Sequence, residues 1–264
     1  MITASSEGRL RVITQTAHQE QCGLIAAAWG NAAFARPGPW EPVVRAARVH
    51  DEGWRAWEEA PDVDADGHPR GFTDMCEAVH CRIHDRSAAL ARDEGSRVGL
   101  VVGMHVAGLP MHRLGLDGPM PAPGERGPAV GELVRSQALH ARRARAAIGE
   151  GAEVASWAWA AYRILQAVDL LSLYLTWRGL ASADAWTLPR VPRCPGDERG
   201  TDLRVRPAGP LACRVSPWPF GAPRVSAPVE CRIIEDRAYE DAAALSAALS
   251  AAPMTRLDME ILSA

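Results

Sequence analysis

The longest apolar stretch of the chain, residues 152–178, constrains the fold more than any other segment. As a helix it would carry apolar side chains on nearly every face, and such a helix has to be surrounded by other elements. Arg163, Gln166 and Asp169 interrupt the stretch, so it does not predict a membrane span. We therefore predict a central helix at 152–178, with the other helices packed around it.

Five amphipathic segments predict the helices that surround this central helix. Within each segment, apolar residues recur every three or four positions, which is the spacing of one helix face. Glycine or proline marks most of the segment ends, as is typical of helix termini. The predicted helices cover approximately residues 14–29, 42–59, 75–94, 97–108 and 129–148.

The composition changes after residue 180, where prolines become frequent and the apolar runs become short. Runs such as LRVRP, LACRVSPWPF and VECRIIE are typical of short strands, and RLDMEIL predicts a last strand. A single strand, RLRVIT at 9–14, is predicted before the first helix. We predict a mainly α protein, in which a helical domain at 1–180 carries a small C-terminal β-rich (α+β) appendage at 181–264.

Composition and charge exclude several classes of function. The net charge is −3, which gives no electrostatic basis for binding nucleic acid. All 29 basic residues are arginine, so Schiff-base chemistry and a P-loop lysine are excluded. The six cysteines form no CxxC pair and we recognise no signal peptide, so we expect reduced thiols and a cytoplasmic protein without membrane contact. The sequence leaves a homodimer open.

Five predicted helices carry histidine or aspartate on the face that their periodicity turns toward the interior. A buried carboxylate needs a partner or a metal ion, and a buried neutral imidazole needs partners for both nitrogens. Metal ions would satisfy all of these groups at once. The predicted metal ligands are His18, His50, Asp51, His80, His105 and Asp169, with His84 as the alternative to His80. Cys22, one helical turn after His18, is expected to pack in the core instead.

The adjacent pair His50-Asp51 falls inside the second predicted helix, and neighbouring side chains on a helix point about 100° apart. One of the two could therefore bind a single metal ion while the other bridges two ions. The order His, His-Asp, His, His, Asp across residues 18–169 resembles the HD-domain metalloenzyme superfamily in its dinuclear form. More locally, VITQTAHQEQCGLIAAAWGN, VHDEGW and PWPF resemble the DUF3891 family, which brings no established activity.

The superfamily resemblance implies an HD-domain-like helical bundle that holds two metal ions, with iron favoured and manganese, zinc or nickel as alternatives. It implies that Asp51 bridges the ions and that His80 and His105 complete the second one. The first ion would be bound by His18, His50, Asp51 and Asp169. The candidate catalytic residues are Asp51 and, near the pair, Trp54 and Glu58.

Two classes of dinuclear enzyme share this ligand pattern. Oxygenases such as myo-inositol oxygenase use a diiron pair and dioxygen on a substrate that chelates iron, whereas the hydrolases use their metals to attack phosphorus. The long gap between His105 and Asp169 resembles the oxygenases more closely, so we favour an oxygenase or oxidase that acts on a small metal-chelating molecule. A metal-dependent phosphohydrolase acting on a nucleotide or phosphoester is the first alternative, and a non-enzymatic ligand-binding module is the second.

Trp54 occupies the segment just after the pair, where many members of the superfamily carry a lysine. Phosphate binding by that route is therefore lost in this chain. Arg82, Arg86 and Arg142 are the candidates to replace the lysine, although an arginine on a helix is more often a solvated surface charge.

Overall fold

The computed structural model describes residues 1–111, 127–177 and 184–264. A helical bundle is followed by a β-rich C-terminal part, as predicted, and with two sheets beside the helices the structure as a whole is α+β rather than mainly α. The helices are α1 (Gln15–Ala28), α2 (Glu41–Val49), α3 (Arg55–Glu58), α4 (Glu77–Asp93), α5 (Ser96–Gly108), α6 (Pro128–Ile148), α7 (Ala152–Thr176) and α8 (Ala242–Ala251). The strands are β1 (Ile2–Ser6), β2 (Arg9–Ile13), β3 (Trp186–Val191), β4 (Thr201–Pro207), β5 (Ala212–Ser216), β6 (Arg224–Ser226), β7 (Val229–Glu235), β8 (Met254–Leu257) and β9 (Glu260–Ser263).

Helix α7 is the central helix that the sequence predicts. Every residue from 160 to 176 is buried, and the helix packs against α1, α2, α5 and β3. Its burial places the carboxyl group of Asp169 in the interior, where the residue is 4% exposed. None of the described helices combines the length and the hydropathy needed to cross a bilayer.

The predicted second helix is wrong in its second half. Helix α2 ends at Val49, and a 3-10 turn at Glu52–Trp54 leads into the short helix α3. His50 therefore closes α2, and Asp51 follows it in a non-helical conformation with φ −114° and ψ 17°. The pair lies at a bend of the chain, so the regular angle between neighbouring helical side chains does not apply to it.

The bend after Asp51 is held by a close approach to α4. The backbone N–H of Gly53 donates to Ser87 Oγ at 3.0 Å. A Cβ atom at Gly53 would lie 2.2 Å from the carbonyl oxygen of Ile83, so only glycine fits here without a shift of one backbone. The contact with α4 thus determines the backbone conformation of this segment, although the sequence periodicity is that of a helix.

Two sheets form the β-rich part. The first has the order β1-β2-β7-β8 and is antiparallel throughout. The second has the order β3-β4-β5-β9-β6, with β5 and β9 parallel. The predicted strand at 9–14 corresponds to β2, whereas β1 was not predicted. The segment RLDMEIL, predicted as one strand, spans the end of β8 and most of β9, which belong to different sheets.

The first sheet joins the two ends of the chain. Strand β2 pairs with β7, and Leu10 lies opposite Ile234 in that register. The predicted boundary between residues 180 and 181 lies outside the described residues. The N-terminal strands of the predicted helical domain thus share a sheet with strands of the predicted appendage.

A second contact fixes the start of the bundle against the C-terminal part. The rings of Trp29 and Phe220 meet edge to face, with 5.6 Å between their centroids. The side-chain amide of Asn31 donates to the carbonyl oxygens of Trp218 and Phe220 at 2.9 and 3.1 Å. The segments WGN and PWPF, far apart in sequence, are therefore in direct contact.

The close approach at Gly53 predicts a large effect of one methyl group. We expect Gly53→Ala to lower the free energy of unfolding by about 1–3 kcal/mol, because the new Cβ forces α4 and the bend apart. Urea denaturation measures the change. Gly38→Ala is the control, since nothing lies within 4 Å of a Cβ at Gly38. Equal stability of the two variants would contradict the account of the bend.

Candidate metal centre

Four helices and the bend after α2 bring imidazole and carboxylate groups to one place in the interior. Each of these residues is buried, with between 1% and 7% of its surface exposed. They are His18 on α1, His50 and Asp51 at the end of α2, His84 on α4, His105 on α5 and Asp169 on α7.

Asp169 is the centre of this group. Its Oδ1 atom lies 2.9 Å from His18 Nε2 and 3.8 Å from His50 Nε2. Its Oδ2 atom lies 3.7 Å from His105 Nε2. Asp51 joins the group through Oδ2, which lies 3.6 Å from His50 Nε2. Three imidazoles therefore face two carboxylates across distances that a shared cation could span.

A buried cluster within this group could hold a metal ion. The ligand atoms of His18, Cys22, His50 and Asp169 all lie within 4.8 Å of one another. Cys22 Sγ is 3.6 Å from His18 Nε2 and within 3.8 Å of the Val168 carbonyl oxygen. Burial, and then the charge of Asp169, raises the pKa of the thiol well above its usual value. Cys22 is thus part of the cluster as well as of the core in which the sequence placed it.

A chain of hydrogen bonds fixes the ring of His18. The amide nitrogen of Gln21 donates to the carbonyl oxygen of Ala227 at 2.6 Å, which leaves Gln21 Oε1 to accept from the Ser172 hydroxyl at 2.5 Å. Ser172 Oγ then accepts from His18 Nδ1 at 2.7 Å. Because the hydrogen is on Nδ1, the lone pair of His18 Nε2 points toward Asp169.

His50 is oriented in the same way. Its Nδ1 atom donates to the carbonyl oxygen of Ala47 at 2.9 Å, and its buried Nε2 atom has no hydrogen-bond partner among the described residues. The two Nε2 lone pairs and Asp169 Oδ1 are all electron-rich, so a proton or a metal ion has to lie between them. Neighbouring ligands of an octahedral metal ion with bonds of about 2.1 Å are about 3 Å apart, close to the 2.9 Å between His18 and Asp169.

The pKa shifts of His50 and Asp169 indicate that positive charge is favoured at this site. Burial alone would lower the pKa of His50, but Asp51 and Asp169 raise it to about 9. Burial alone would raise the pKa of Asp169, but the neighbouring imidazoles of His18, His50 and His105 lower it far below its usual value. Burial raises the pKa of Asp51. The carboxylate of Asp169 therefore stays ionised and requires a cation next to it.

His84 and His105 form a second part of the site, adjacent to the first. Burial lowers the pKa of His105 to about 4. Burial also lowers the pKa of His84 well below its usual value, and the charges of His80, His105 and His50 lower it further. Both ring nitrogens of His84 are buried without a hydrogen-bond partner among the described residues, as is His105 Nδ1. These imidazoles are neutral, which is the form that binds metal.

The predicted alternatives His80 and His84 both lie on the face of α4 that turns toward the site. Their ring centroids are 4.5 Å apart, and both rings meet Trp54 edge to face. His84 is buried and lies near His105 and His50, whereas His80 is only partly buried and lies farther out along α4. The position of His84 therefore favours it over His80 as the ligand that α4 supplies.

A cavity of about 580 Å³ opens onto these groups. His18, Asp51, His84, His105 and Asp169 lie along its polar part. Its remaining wall is mainly apolar and includes Phe72, Met75, Cys81, Leu109, Pro110, Val130, Leu133 and Leu173, while Gln15, Glu77 and His80 add polar groups. A small molecule in this cavity would therefore contact the candidate metal ligands directly.

Gln19 was not identified from the sequence, although it lies one residue after His18 and is 2% exposed. Its side-chain oxygen accepts from the backbone N–H of Asp51 at 2.9 Å, and its amide nitrogen donates to Glu52 Oε2 at 2.6 Å. A hydrogen bond from Arg55 lowers the pKa of Glu52, so Glu52 remains an acceptor for Gln19. This contact holds the backbone of the bend at Asp51.

Two residues predicted to be catalytic, Trp54 and Glu58, occupy positions behind the site. Trp54 is fully buried and packs against Trp57, His80 and His84. Glu58 accepts from the backbone N–H of Gln15 at 2.5 Å, at the start of α1. Neither side chain lines the cavity. Their catalytic roles stay predictions. In the structure, Trp54 contacts other aromatic rings and Glu58 contacts the start of α1.

The candidate phosphate-binding arginines lie elsewhere. Arg82 and Arg86 are exposed on α4, and Arg142 is exposed on α6 beside a separate surface pocket. Among the described residues, no arginine lines the cavity.

Comparison with known proteins gives one match. The model of a family described as "Protein of unknown function (DUF3891)" matches residues 1–236, a range that includes all of the candidate ligands. No curated protein and no solved structure matches the chain.

The hydrogen-bond chain behind His18 predicts that Ser172 supports metal binding. We expect Ser172→Ala to weaken the affinity for a divalent metal ion by about 10- to 100-fold, because His18 loses its fixed tautomer. Competition with a chelator of known affinity measures the change. Thr176→Val is the matched control, since Thr176 is equally buried on α7 and its hydroxyl donates only to the Ser172 carbonyl oxygen, at 2.7 Å. An equal loss in both variants would contradict the role of Ser172.

The raised pKa of His50 predicts a pH dependence of the metal-free protein. The folded protein holds this proton up to about pH 9, whereas the usual pKa of histidine is 6.5. The stabilisation is therefore complete below pH 6.5 and is lost as the pH rises toward 9. We expect the free energy of unfolding to fall over this range by more in the wild type than in His50→Gln. Chemical denaturation at several pH values measures both; parallel curves would contradict the prediction.

Proposed function

Since the chain belongs to the DUF3891 family, whose description assigns no activity, we propose its function from the site itself. The protein is a dinuclear metal enzyme of the HD-domain type, with iron as the favoured metal. It oxidises a small molecule that chelates the metal centre and uses dioxygen as the second substrate.

One observation carries this proposal. The buried imidazoles of His18, His50, His84 and His105 come together around the carboxylates of Asp51 and Asp169 at one end of a cavity. A protein that kept these groups for packing alone would pair each nitrogen with a protein group. Here the nitrogens of His50, His84 and His105 that have no hydrogen-bond partner among the described residues point to a common metal partner.

The donor set fits two metal ions better than one. His18, His50 and Asp169 form a compact first group, with Cys22 beside it. His84 and His105 form the second group, and Asp51 lies at the first group's edge, 3.6 Å from His50. Imidazole and carboxylate ligands suit iron, manganese, zinc and nickel alike. We choose iron because the reaction that we favour is an oxidation with dioxygen.

When bound, a diiron pair would supply the activation of dioxygen and the removal of an electron from the substrate. The residues of the chain supply the conditions for that chemistry. Ser172 and Ala47 hold the rings of His18 and His50, so that their Nε2 atoms face the site without rearrangement. Asp169 and Asp51 bring negative charge that offsets the metal charge. The apolar wall excludes water from the reacting end of the cavity.

The lining of the cavity supports oxidation over phosphoester hydrolysis. Enzymes that act on phosphates commonly place arginine or lysine beside the phosphate oxygens, in addition to any metal ions. Lysine is absent from the sequence, and no arginine lines the described part of the cavity. An apolar cavity of this kind better suits a substrate that carries few charges.

Metal analysis of anaerobically purified protein tests the proposal. We expect roughly two iron atoms per chain and, after partial oxidation, a mixed-valent signal in low-temperature electron paramagnetic resonance. His50→Ala should lose the signal, because its ring faces both carboxylates. His105→Ala should lower the metal content to about one ion, because its ring lies in the second group.

His68→Ala is the control, since His68 is exposed and distant in sequence from every candidate ligand. It should keep the wild-type metal content and signal. Zinc, manganese or nickel without a redox-active signal would favour a hydrolase instead. A wild-type protein that takes up no metal under any of these conditions would overturn the metal centre altogether.

A further inference from the structure

We propose that the cavity binds a neutral amphipathic molecule, whose polar head donates a hydrogen bond to Gln15 beside the metal centre and whose apolar tail lies between α4 and α6. This inference depends on the proposed function in one respect only: the polar head of the ligand also chelates the metal. The binding of the donor and of the tail depends on residues of the chain alone.

Gln15 is an unpartnered polar group that faces the cavity. The residue is 3% exposed, and its Oε1 atom is buried without a hydrogen-bond partner among the described residues. Gln15 precedes His18 by three positions, so both side chains lie on the same face of α1 and both line the cavity. Its backbone N–H is fixed by Glu58. A hydroxyl or N–H group of a ligand would satisfy the free amide oxygen.

Helix α4 gives the cavity an inner and an outer end. Glu77, His80 and His84 all line it, and they are exposed, partly buried and buried, in that order. The seven helical steps from Glu77 to His84 span about 10 Å along the helix axis. The inner end is therefore at the histidines, and the mouth is at the start of α4.

The wall between these ends is apolar. Val130 and Leu133 of α6 face the cavity and are each 4% exposed, and Phe72, Leu109 and Leu173 are part of the same apolar surface. The volume of about 580 Å³ lies within the range of small-molecule sites. It has room for a head group at the histidines together with a tail that reaches toward the mouth.

Charge at the mouth determines which tails are favoured. Glu77 is exposed there, and no arginine lines the described part of the cavity to offset its charge. A carboxylate or phosphate on the tail would be repelled by Glu77 and would lose its hydration against the apolar wall. The tail that fits this surface is an uncharged alkyl or aryl chain.

Hydroxamic acids test the head and the tail separately. Octanohydroxamic acid chelates metal through two oxygens, donates an N–H and carries an alkyl tail, whereas acetohydroxamic acid has the same head without the tail. In the metal-loaded protein we expect the octanoyl compound to bind roughly 3,000-fold more tightly, because it buries six more methylene groups. Isothermal titration calorimetry measures both affinities.

The donor to Gln15 is tested by N-methyl octanohydroxamic acid, which has no N–H group. Methylation should weaken binding to the wild type by about 10-fold and should have little effect on Gln15→Leu. The tail is tested by Leu133→Gln, which should weaken binding of the octanoyl compound and leave that of the acetyl compound unchanged. Leu139→Gln is the matched control on α6, since Leu139 is 49% exposed and does not line the cavity.

A further probe, octanamide, keeps the N–H donor and the tail but does not chelate metal. Binding of octanamide to metal-free protein, weakened by Gln15→Leu and by Leu133→Gln, would support the proposal even in a chain that takes up no metal; only the proposed function would then fail. Equal affinities of the two hydroxamic acids, or octanamide binding that neither substitution changes, would overturn the proposal and leave the metal centre unaffected.

Discussion

The carboxylate of Asp169 is buried in the middle of a helix that is itself buried on every side. An ionised group in such a place destabilises the fold unless cations or hydrogen-bond donors surround it. The helices that pack around α7 therefore have to bring imidazoles to this one point. The arrangement of α1, α2 and α5 satisfies that requirement, since each contributes one histidine that faces Asp169.

Periodicity predicted much of this arrangement, because burial on a helix repeats at a fixed spacing. The central position of α7 and the inward faces of His18, His105 and Asp169 follow from that rule. The bend after His50 could not be found in this way, since it depends on contact between Gly53 and α4, which are distant in sequence. The choice between His80 and His84 also depends on tertiary contacts, as periodicity places both on one face.

For the β-rich part, the sequence predicted where strands occur but not which strands pair with each other. Alternation along β4, β5 and β7 identifies strands, whereas nothing in a single strand specifies its partner. The pairing of β2 with β7 and the contact of Trp29 with Phe220 join segments more than 190 residues apart. Both contacts lie at the ends of α1, the helix that carries His18, so the C-terminal part helps to fix the position of this helix.

The hydrogen-bond chain from His18 through Ser172 and Gln21 ends at Ala227, in the segment between β6 and β7. During synthesis on the ribosome, His18 emerges long before Ala227 exists. The complete hydrogen-bond chain that fixes the ring can form only after most of the polypeptide has been translated and folded. A nascent chain would therefore bind an ion at the proposed metal centre only weakly, which would limit the capture of a wrong ion before the cavity has formed.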